Sequence, residues 1–303
     1  MTDQSRTETA AASAGLLPIR EIARQTGVNP ATLRAWERRY GLIQPQRTAK
    51  GHRLYDADHV ARIRQVLGWL ERGVAISQVR RLLQDSQQPP ATASTQWHEQ
   101  QQRWLGHIAQ LNERALDGCF NQAQALYPSE TLCQHLLWPV LQQVQQRQVA
   151  PPEKGVEQVF FLSWLRSKLG ARVYHGNRLL DGPPLLMLNL SERVMEPGLW
   201  LCAWLASNRG CPVRVLDWAF PLAHMPQAIA RIDPCAVLLY GEQALAPGHL
   251  PRLFNAIDCP QVLCGQAVRL HHAELVDLPD LHLADDPLAA LQCLQRLGLL
   301  DDR

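Results

Sequence analysis

Apolar residues recur at helical spacing through the first 84 residues and predict four short helices. Ile19, Ile22 and Ala23 would form the inner face of the first helix. Val60, Ile63, Leu67 and Leu70 would form that of the third. The second is favoured by Asn29 as an N-cap, followed by Pro30 in the first helical position. The predicted helices cover residues 17–25, 30–40, 58–72 and 77–84.

The connections between these helices predict a winged helix-turn-helix. Thr26-Gly27-Val28 is a tight turn between the first two helices. A polar stretch containing Gly51 separates the apolar pairs Leu42-Ile43 and Leu54-Tyr55, which is typical of a β-hairpin. This mostly helical domain with its hairpin wing is predicted to span residues 16–84.

A change in composition follows the fourth helix. Residues 85–96 are rich in Gln, Pro, Ser and Thr and predict a linker. Helical periodicity then returns in four segments, at about 97–115, 119–126, 129–149 and 153–174. Residues 97–177 are therefore predicted to form a four-helix bundle.

From residue 178 onward the pattern alternates between strand and helix. Leu185 to Leu190 reads as a buried strand, and four more strands are predicted near 213–218, 236–240, 261–264 and 281–283. Helices are predicted between them and at 287–297. Residues 178–303 should thus form an α/β domain with a flavodoxin-like, five-stranded parallel sheet, in a multi-domain chain.

Charge is distributed unevenly along the chain. Residues 1–85 carry a net charge of +6 and the remainder −4, which suggests a domain that binds a polyanion joined to a control domain. Residues 1–15 are polar and predict a disordered leader without a signal peptide. The apolar runs are too short for a membrane span, so a cytoplasmic location is expected. The eight cysteines have mostly apolar neighbours and no C-x-x-C spacing, which favours buried free thiols.

The chemistry of DNA binding is concentrated in the second helix and the wing. The second helix carries T-L-R-A-W-E-R-R-Y-G-L, in which arginines can fork onto guanine edges or grip phosphates. The wing reads P-x-R-T-x-x-G-H-R-L-Y. For a basic helix taken alone, a solvated surface face is an equally good interpretation. The two strings together resemble the DNA-binding domain of the MerR family, in the branch that holds MlrA, CarH and LitR.

The resemblance covers about residues 17–83 and implies a promoter-binding transcription regulator. It implies recognition of inverted repeats in double-stranded DNA by a homodimer or homotetramer, often with distortion of the DNA. It does not settle whether the protein is a repressor or an activator. By position, the predicted DNA-binding residues are Thr32, Arg34, Trp36, Arg38, Arg39, Tyr40, Arg47, Lys50, His52, Arg53 and Tyr55.

The C-terminal half resembles the cobalamin-binding module of the same branch, with its characteristic positions changed. The resemblance implies a Trp, a Glu-His pair and a D-x-H-x-x-G loop whose His ligates cobalt. Here the loop's H-x-x-G reads Met195-Glu196-Pro197-Gly198, and bulky Tyr240 stands in a small-residue loop, which favours a filled pocket. No cofactor is therefore expected. The degenerate pocket positions are Gln148, Glu157, Gln158, Met195, Gly198, Tyr240 and Gly265.

Other kinds of site receive little support from the sequence. His271-His272, with His282, is better explained as a solvated pair than as a metal site, and catalysis has no candidate residues. We therefore expect no enzyme and no metal, but a regulator whose C-terminal domain receives its signal without cobalamin. That signal would come from a partner protein, such as a photoreceptor. The alternative is a direct small-molecule or cobalamin-type receptor that uses the crevice of the α/β domain.

Overall fold

The computed structural model describes residues 16–85, 93–146, 153–191, 195–245, 254, 257–276, 278 and 280–300. These residues belong to two compact units, one within residues 1–158 and the other within 159–302. The predicted leader (1–15) and part of the predicted linker (86–92) lie outside the described residues. Each unit is treated separately below.

The first unit begins with a winged helix-turn-helix. A three-stranded antiparallel sheet has the order β1-β3-β2, so the wing hairpin β2–β3 is extended by the short strand β1. The side chain of Asp56 accepts from the amide of His59, and His59 reciprocates, which makes a capping box at the start of α3. The elements are β1 (Leu17–Pro18), α1 (Ile19–Thr26), α2 (Pro30–Ala35, continued by a π-helical turn, Trp36–Tyr40), β2 (Gln46–Arg47), β3 (Arg53–Tyr55), α3 (Ala57–Glu71) and α4 (Ile76–Asp85).

Three further helices follow in the first unit: α5 (Ala93–Ala109), α6 (Glu113–Leu126) and α7. Helix α7 is continuous from residue 129 to residue 146 and contains a π-helical turn, Cys133–Leu137, directly before Trp138 and Pro139. Proline has no amide hydrogen to donate, which explains a widened turn at this place. Helix α5 already begins at Ala93, so the C-terminal end of the predicted linker is helical.

The first unit joins two segments that the sequence divides into separate domains. Helix α2 of the winged helix packs on α6, and the ring of Trp97 of α5 contacts the ring of Tyr127 at the end of α6 in a tilted arrangement. The fourth predicted bundle helix, α8 (Glu153–Asn177), lies for the most part in the second unit. The boundary between the compact units falls within α8, after residue 158.

The second unit is built on a five-stranded parallel sheet, which confirms the predicted α/β fold. The strands are β4 (Leu185–Asn189), β5 (Val213–Ala219), β6 (Ala236–Tyr240), β7 (Gln261–Cys264) and β8 (Leu281–Ala284). Their order in the sheet is β5-β4-β6-β7-β8, so β4 pairs with both β5 and β6. All residues of β4, β6 and β7 are buried, as expected for central strands covered on both faces.

Helices cover the sheet and complete the second unit. They are the C-terminal part of α8, α9 (Pro197–Asn208), α10 (Met225–Ile232), α11 (Gln266–Leu270), α12 (His272–Leu275) and α13 (Pro287–Arg296). Asn177 ties the end of α8 to β5, because its side chain both accepts from the amide of Val213 and donates to its carbonyl. Only Phe254 and Ile257 are described from the segment predicted to be helical at 250–257. Among the described residues, no helix is long and apolar enough to cross a membrane.

Candidate nucleic-acid interface

Helix α2 has the local sequence signals of a well-defined start and stop. The side chain of Asn29 accepts from the amide of Ala31 at 2.6 Å, and Pro30 occupies the first helical position, as predicted. Leu33 and Trp36 are fully buried and hold the helix against the rest of the unit. Gly41 ends it with φ of +57°, a conformation that favours glycine.

The outer face of α2 is basic and exposed to solvent. Ala31, Arg34 and Arg38 are exposed at helical spacing, and Arg39 lies exposed beside them. Arginine side chains on such a face can reach base edges in a major groove or the phosphates that flank it. Three of the predicted DNA-binding residues thus lie together on one accessible surface.

The wing presents further basic residues on a tight turn. The amide of Thr48 donates to the carbonyl of His52 at 2.9 Å, and the amide of Gly51 donates to the carbonyl of Thr48 at 2.8 Å. The Thr48 hydroxyl oxygen also accepts from the His52 amide. Arg47, Lys50 and His52 are exposed around this turn, while Arg53 is half-buried.

Glu37 on α2 connects the recognition helix to both strands of the wing. Arg47 and Arg53 are directly opposite each other in the β2–β3 ladder, where two like charges repel. The Glu37 carboxylate accepts from Arg47 at 2.7 Å through one oxygen and from Arg53 through the other. It therefore neutralises the repulsion and sets the wing's position relative to α2. We name these three side chains the Glu37 clamp.

The clamp also explains the ionisation of Glu37. Partial burial opposes ionisation, but the hydrogen bonds from Arg53 and then Arg47 lower the pKa of Glu37 below its ordinary value of 4.5. The carboxylate is thus charged across the neutral range. Sequence analysis did not select Glu37 as a site residue. The sequence signal that could have identified Glu37 is its position as an acidic residue between the arginines of this helix.

Four predicted DNA-binding residues are buried or half-buried. Thr32, Trp36 and Tyr55 are almost completely buried, so their side chains pack inside the first unit. Burial raises the pKa of Tyr55 to about 12. Tyr40 is half-buried and lines a cavity together with α5 and α6 rather than the basic face. These four residues therefore support the exposed arginines of α2 from the inner side and do not belong to the same basic surface.

The buried side of α2 is bound to the helical segment of the same unit. The indole N–H of Trp36 donates to the Leu126 carbonyl at 2.8 Å. A ring cluster lies beside this bond: Trp97 contacts Tyr127 with ring centroids 4.8 Å apart and stacks on His135 at 5.3 Å. We name Trp97, Tyr127 and His135 the ring cluster. Its members were not selected from sequence, since aromatic residues in a helical segment are usually ordinary core.

The ring cluster holds the last two helices of the winged helix. His135 Nε2 lies 3.2 Å from the carbonyl oxygen of Glu71 at the end of α3, and burial lowers the pKa of His135. The Tyr127 hydroxyl accepts from the amide of Ile76 at the start of α4. The DNA-reading elements are thus fastened to α5–α7 at several separate places.

Comparisons with known proteins agree with this geometry. A family described as "MerR HTH family regulatory protein" matches residues 17–86. The HTH-type transcriptional regulator MlrA of Salmonella typhimurium (strain LT2) is 34% identical over 205 residues, covering 66% of this chain and 79% of MlrA. The chain belongs to the MerR family. It is a DNA-binding transcription regulator, a role without catalysis.

Two other proteins share more limited likeness with this MerR-family chain. The HTH-type transcriptional repressor CarA of Myxococcus xanthus is 28% identical over 263 residues, covering 84% of this chain and 88% of CarA. A solved structure titled as a novel cobalamin-binding protein from Desulfitobacterium hafniense DCB-2 aligns with a TM-score of 0.36 and 16% identity. It covers 66% of this chain and 97% of that one.

Among the described residues at the carboxyl edge of the parallel sheet, the packing of Tyr240 against Gly198 does not fit a bound cobalamin. Tyr240, the last residue of β6, is buried, and a Cβ built on Gly198 would lie 1.8 Å from the Tyr240 hydroxyl oxygen. The tyrosine therefore fills the space above α9. Its hydroxyl donates to Glu242, and burial raises its pKa well above the usual range. Tyr240 is thus packed against Gly198 at this position, while the absence of a cofactor stays a prediction.

The remaining degenerate pocket positions differ in burial and in the unit to which they belong. Gln148 lies outside the described residues, while Glu157 and Gln158 are half-buried near the start of α8 in the first unit. Met195 is half-buried just before α9, and its thioether replaces the imidazole that the resemblance requires. Gly265 has φ of +101°, and a Cβ there would lie 2.5 Å from the Gly241 carbonyl oxygen, so this glycine is required by close packing.

Two further features of the second unit differ from expectation. His271 is buried and accepts from the amide of Leu245 at 2.8 Å, so it is a structural residue and not half of a solvated pair. A cavity of about 500 Å³ lies beside Pro184, Pro212 and Trp200, where β4 and β5 begin, rather than at the carboxyl edge of the sheet. Within the described part of the chain, no three His, Cys, Asp or Glu residues are arranged to hold a metal ion.

Proposed function

We propose that this regulator reads a specific promoter sequence through Arg34 and Arg38 of α2, with the wing gripping the adjacent backbone. The exposed basic stripe beside the Glu37 clamp is the observation that carries this proposal. Lys50, His52 and Arg39 add phosphate contacts, which give affinity without sequence preference. Arg47 and Arg53 contribute from the clamp, where Glu37 orients them.

The proposed binding site is an inverted repeat occupied by a homodimer or homotetramer in the cytoplasm. A single α2 helix covers one half-site, and a two-fold pair would read half-sites spaced by about 10 base pairs or a multiple of this. The likeness to the HTH-type transcriptional regulator MlrA and to the HTH-type transcriptional repressor CarA supports DNA binding at a promoter. Analytical ultracentrifugation with and without DNA measures the assembly.

The DNA proposal is tested by selecting bound duplexes from a randomised pool and footprinting the selected sequence. Arg34→Ala should weaken binding to the selected site by about 1–3 kcal/mol and relax the base preference there. Lys50→Ala should instead weaken all sequences alike and reduce the salt dependence. Arg24→Ala is the control, since Arg24 is an exposed arginine of α1 paired with Glu21. Equal affinity for every sequence at each salt concentration would overturn the proposal.

We further propose that the second unit receives its signal from a partner protein and without cobalamin. Tyr240 against Gly198 supports the absence of a bound corrin. Trp218 on the edge strand β5 and Tyr174 on α8 are about 70% exposed, and large exposed aromatic residues are typical of protein-binding surfaces. A photoreceptor is one class of partner that the branch suggests.

Two measurements separate these ideas from a direct receptor function. A corrin absorbance spectrum in protein purified from its native host would contradict the cobalamin-free proposal. Crosslinking in those cells should capture a partner with wild-type protein and with Val156→Ala, an exposed change in the first unit, but not with Trp218→Ala. Capture that is insensitive to Trp218→Ala would show that this surface is not used.

A further inference from the structure

A polar cavity lies in the first unit where the winged helix meets the helical segment. Its volume is about 280 Å³. Tyr40 at the end of α2 and Ile76 and Ser77 at the start of α4 contribute one side. Helices α5 and α6 contribute the other. The cavity is thus in direct contact with two elements that hold the DNA-reading surface.

One wall of the cavity carries opposite charges at a defined separation. Glu99 and Arg103 both line it from exposed positions on α5. Residues four apart in a helix lie on one face, separated by about 6 Å along the axis. Gln96, Gln100 and Gln122 also line the cavity and supply amide donors and acceptors. This combination suits a small molecule with both a carboxylate and an ammonium group.

The inner part of the cavity is apolar and aromatic. Trp104, Ala123 and Leu126 are buried side chains that line it. Tyr127 contributes its ring and a hydroxyl that is hydrogen bonded to the Ile76 amide and the Gln100 side chain. Burial raises the pKa of Tyr127 to about 12, so the phenol keeps its proton at neutral pH. An apolar or aromatic group would be sheltered from water in this part.

We propose that this cavity binds a free amino acid with an apolar or aromatic side chain. Arg103 pairs with the carboxylate, Glu99 pairs with the ammonium group, and the side chain lies against Trp104 and Leu126. The volume is just below the range of about 300–1,000 Å³ typical of pockets for drug-sized ligands, so the occupant is smaller than such molecules.

Binding at this place is coupled to DNA reading, a step that rests on the proposed function. An occupant contacts Tyr40, which directly follows the exposed arginines of α2 in the sequence. It also contacts Ile76, whose amide donates a hydrogen bond to the Tyr127 hydroxyl. A ligand that favours one arrangement of these elements changes the affinity for DNA, and DNA changes the affinity for the ligand by the same factor.

The binding site is tested by isothermal titration calorimetry on the full chain without DNA. L-phenylalanine is the first probe, followed by the other nineteen amino acids. Phenethylamine and 3-phenylpropionate each lack one of the two charges and should bind at least tenfold more weakly than L-phenylalanine. If none of the twenty amino acids shows saturable binding at millimolar concentration, the proposal is overturned.

Matched variants assign the binding to the cavity. Glu99→Gln and Arg103→Gln should each weaken the best amino acid at least tenfold. Glu113→Gln and Arg114→Gln change an exposed acid and an exposed base of α6 that do not line the cavity, and they should leave the affinity unchanged. Equal affinities in all four variants would place the binding elsewhere, and Glu99 and Arg103 would then be an ordinary solvated helix pair.

The coupling is tested separately, by titrating the selected DNA site with and without saturating amino acid. We expect a change of at least threefold in DNA affinity that disappears in Arg103→Gln. Unchanged affinity would overturn the coupling and leave the binding site standing. If the protein has no sequence preference, the proposed function fails, while the calorimetry still decides whether the cavity is a binding site.

Discussion

The indole N–H of Trp36 donates to the main-chain carbonyl of Leu126 at 2.8 Å, joining residues 90 positions apart. Trp36 lies in the recognition helix, on the side opposite to the exposed arginines. Leu126 is the last residue of α6. The bond therefore fixes helix α2 to the helical segment that follows the winged helix in the chain.

Removing this bond should destabilise the first unit. Trp36→Phe keeps an aromatic ring but leaves the buried Leu126 carbonyl without its donor, a loss of about 1–2 kcal/mol. The free energy of unfolding in urea measures the effect. Trp69→Phe is the control, because Trp69 is a half-buried residue of α3 with Arg72 above its ring, and it should cost less than the Trp36 change. Equal losses would contradict a special role for the bond.

The Glu37 clamp should make stability depend on acid. Burial opposes ionisation of Glu37, but Arg53 and Arg47 outweigh it and lower its pKa below 4.5. The stabilisation is complete above 4.5 and is lost as the pH falls through the lowered value. Glu37→Gln should lower the free energy of unfolding by about 1 kcal/mol at neutral pH. It should also lose less stability than the wild type when the pH is lowered to about 3.

Thermal unfolding of Glu37→Gln at the two pH values measures this effect. Glu113→Gln, at an exposed position of α6, provides the matched control and should keep the acid dependence of the wild type. An unchanged acid dependence in Glu37→Gln would mean that other carboxylates dominate it.

His135 should contribute a second pH dependence, at higher pH. Burial lowers its pKa in the folded state below the ordinary value of 6.5. The unfolded chain therefore takes up a proton first, so stability is full above 6.5 and declines as the pH falls from there towards the lowered pKa.

A glutamine at position 135 should remove this part of the pH dependence. The urea midpoint of the wild type should decrease when the pH is lowered from 8 to about 5.5. That of His135→Gln should decrease less, and the difference between the two proteins should correspond to about 1 kcal/mol or less in the free energy of unfolding. His98→Gln, an exposed change on α5, should behave like the wild type. If the urea midpoint changes with pH by the same amount in all three proteins, His135 is not the source of this pH dependence.

The contact between Tyr240 and Gly198 is open to a double-mutant cycle. Gly198→Ala places a methyl group against the Tyr240 hydroxyl and should cost about 1–3 kcal/mol through overpacking. Tyr240→Val should cost about 2–4 kcal/mol by leaving a cavity.

The double variant should lose less than the sum of the two single changes, because the valine makes room for the alanine methyl. The free energy of unfolding of the four proteins gives the coupling. A strictly additive result would mean that Tyr240 does not occupy the space above Gly198.

The elements of the winged helix were predictable because their signals are local. Asn29 caps its helix as expected, the cap of α3 is the neighbouring Asp56, and the polar turn around Gly51 forms the wing. The parallel sheet was predictable for a similar reason. Its central strands are short, mostly apolar runs that alternate with helical segments along the chain. In such a sequence a run such as Leu185–Asn189 is best explained as a buried strand of a parallel sheet.

The candidate interface was predictable only in part. Exposed Arg34, Arg38 and Arg39 follow from helical spacing, but the local pattern does not tell which aromatic residues of the helix and of the wing are buried. Trp36 and Tyr55 lie inside because packing partners distant in the chain cover them. The Glu37 clamp depends on the wing folding back beside α2, which no local pattern encodes.

The sequence by itself determined the MerR-type reading helix, the wing and the parallel sheet, because capping, turns and apolar periodicity act between near neighbours. Only the tertiary structure decided which surfaces those elements share. It placed Trp36 against Leu126, Tyr40 at a polar cavity and Tyr240 over Gly198. Such relationships depend on side-chain packing between segments far apart in the chain, and packing is specified by three-dimensional shape rather than by spacing.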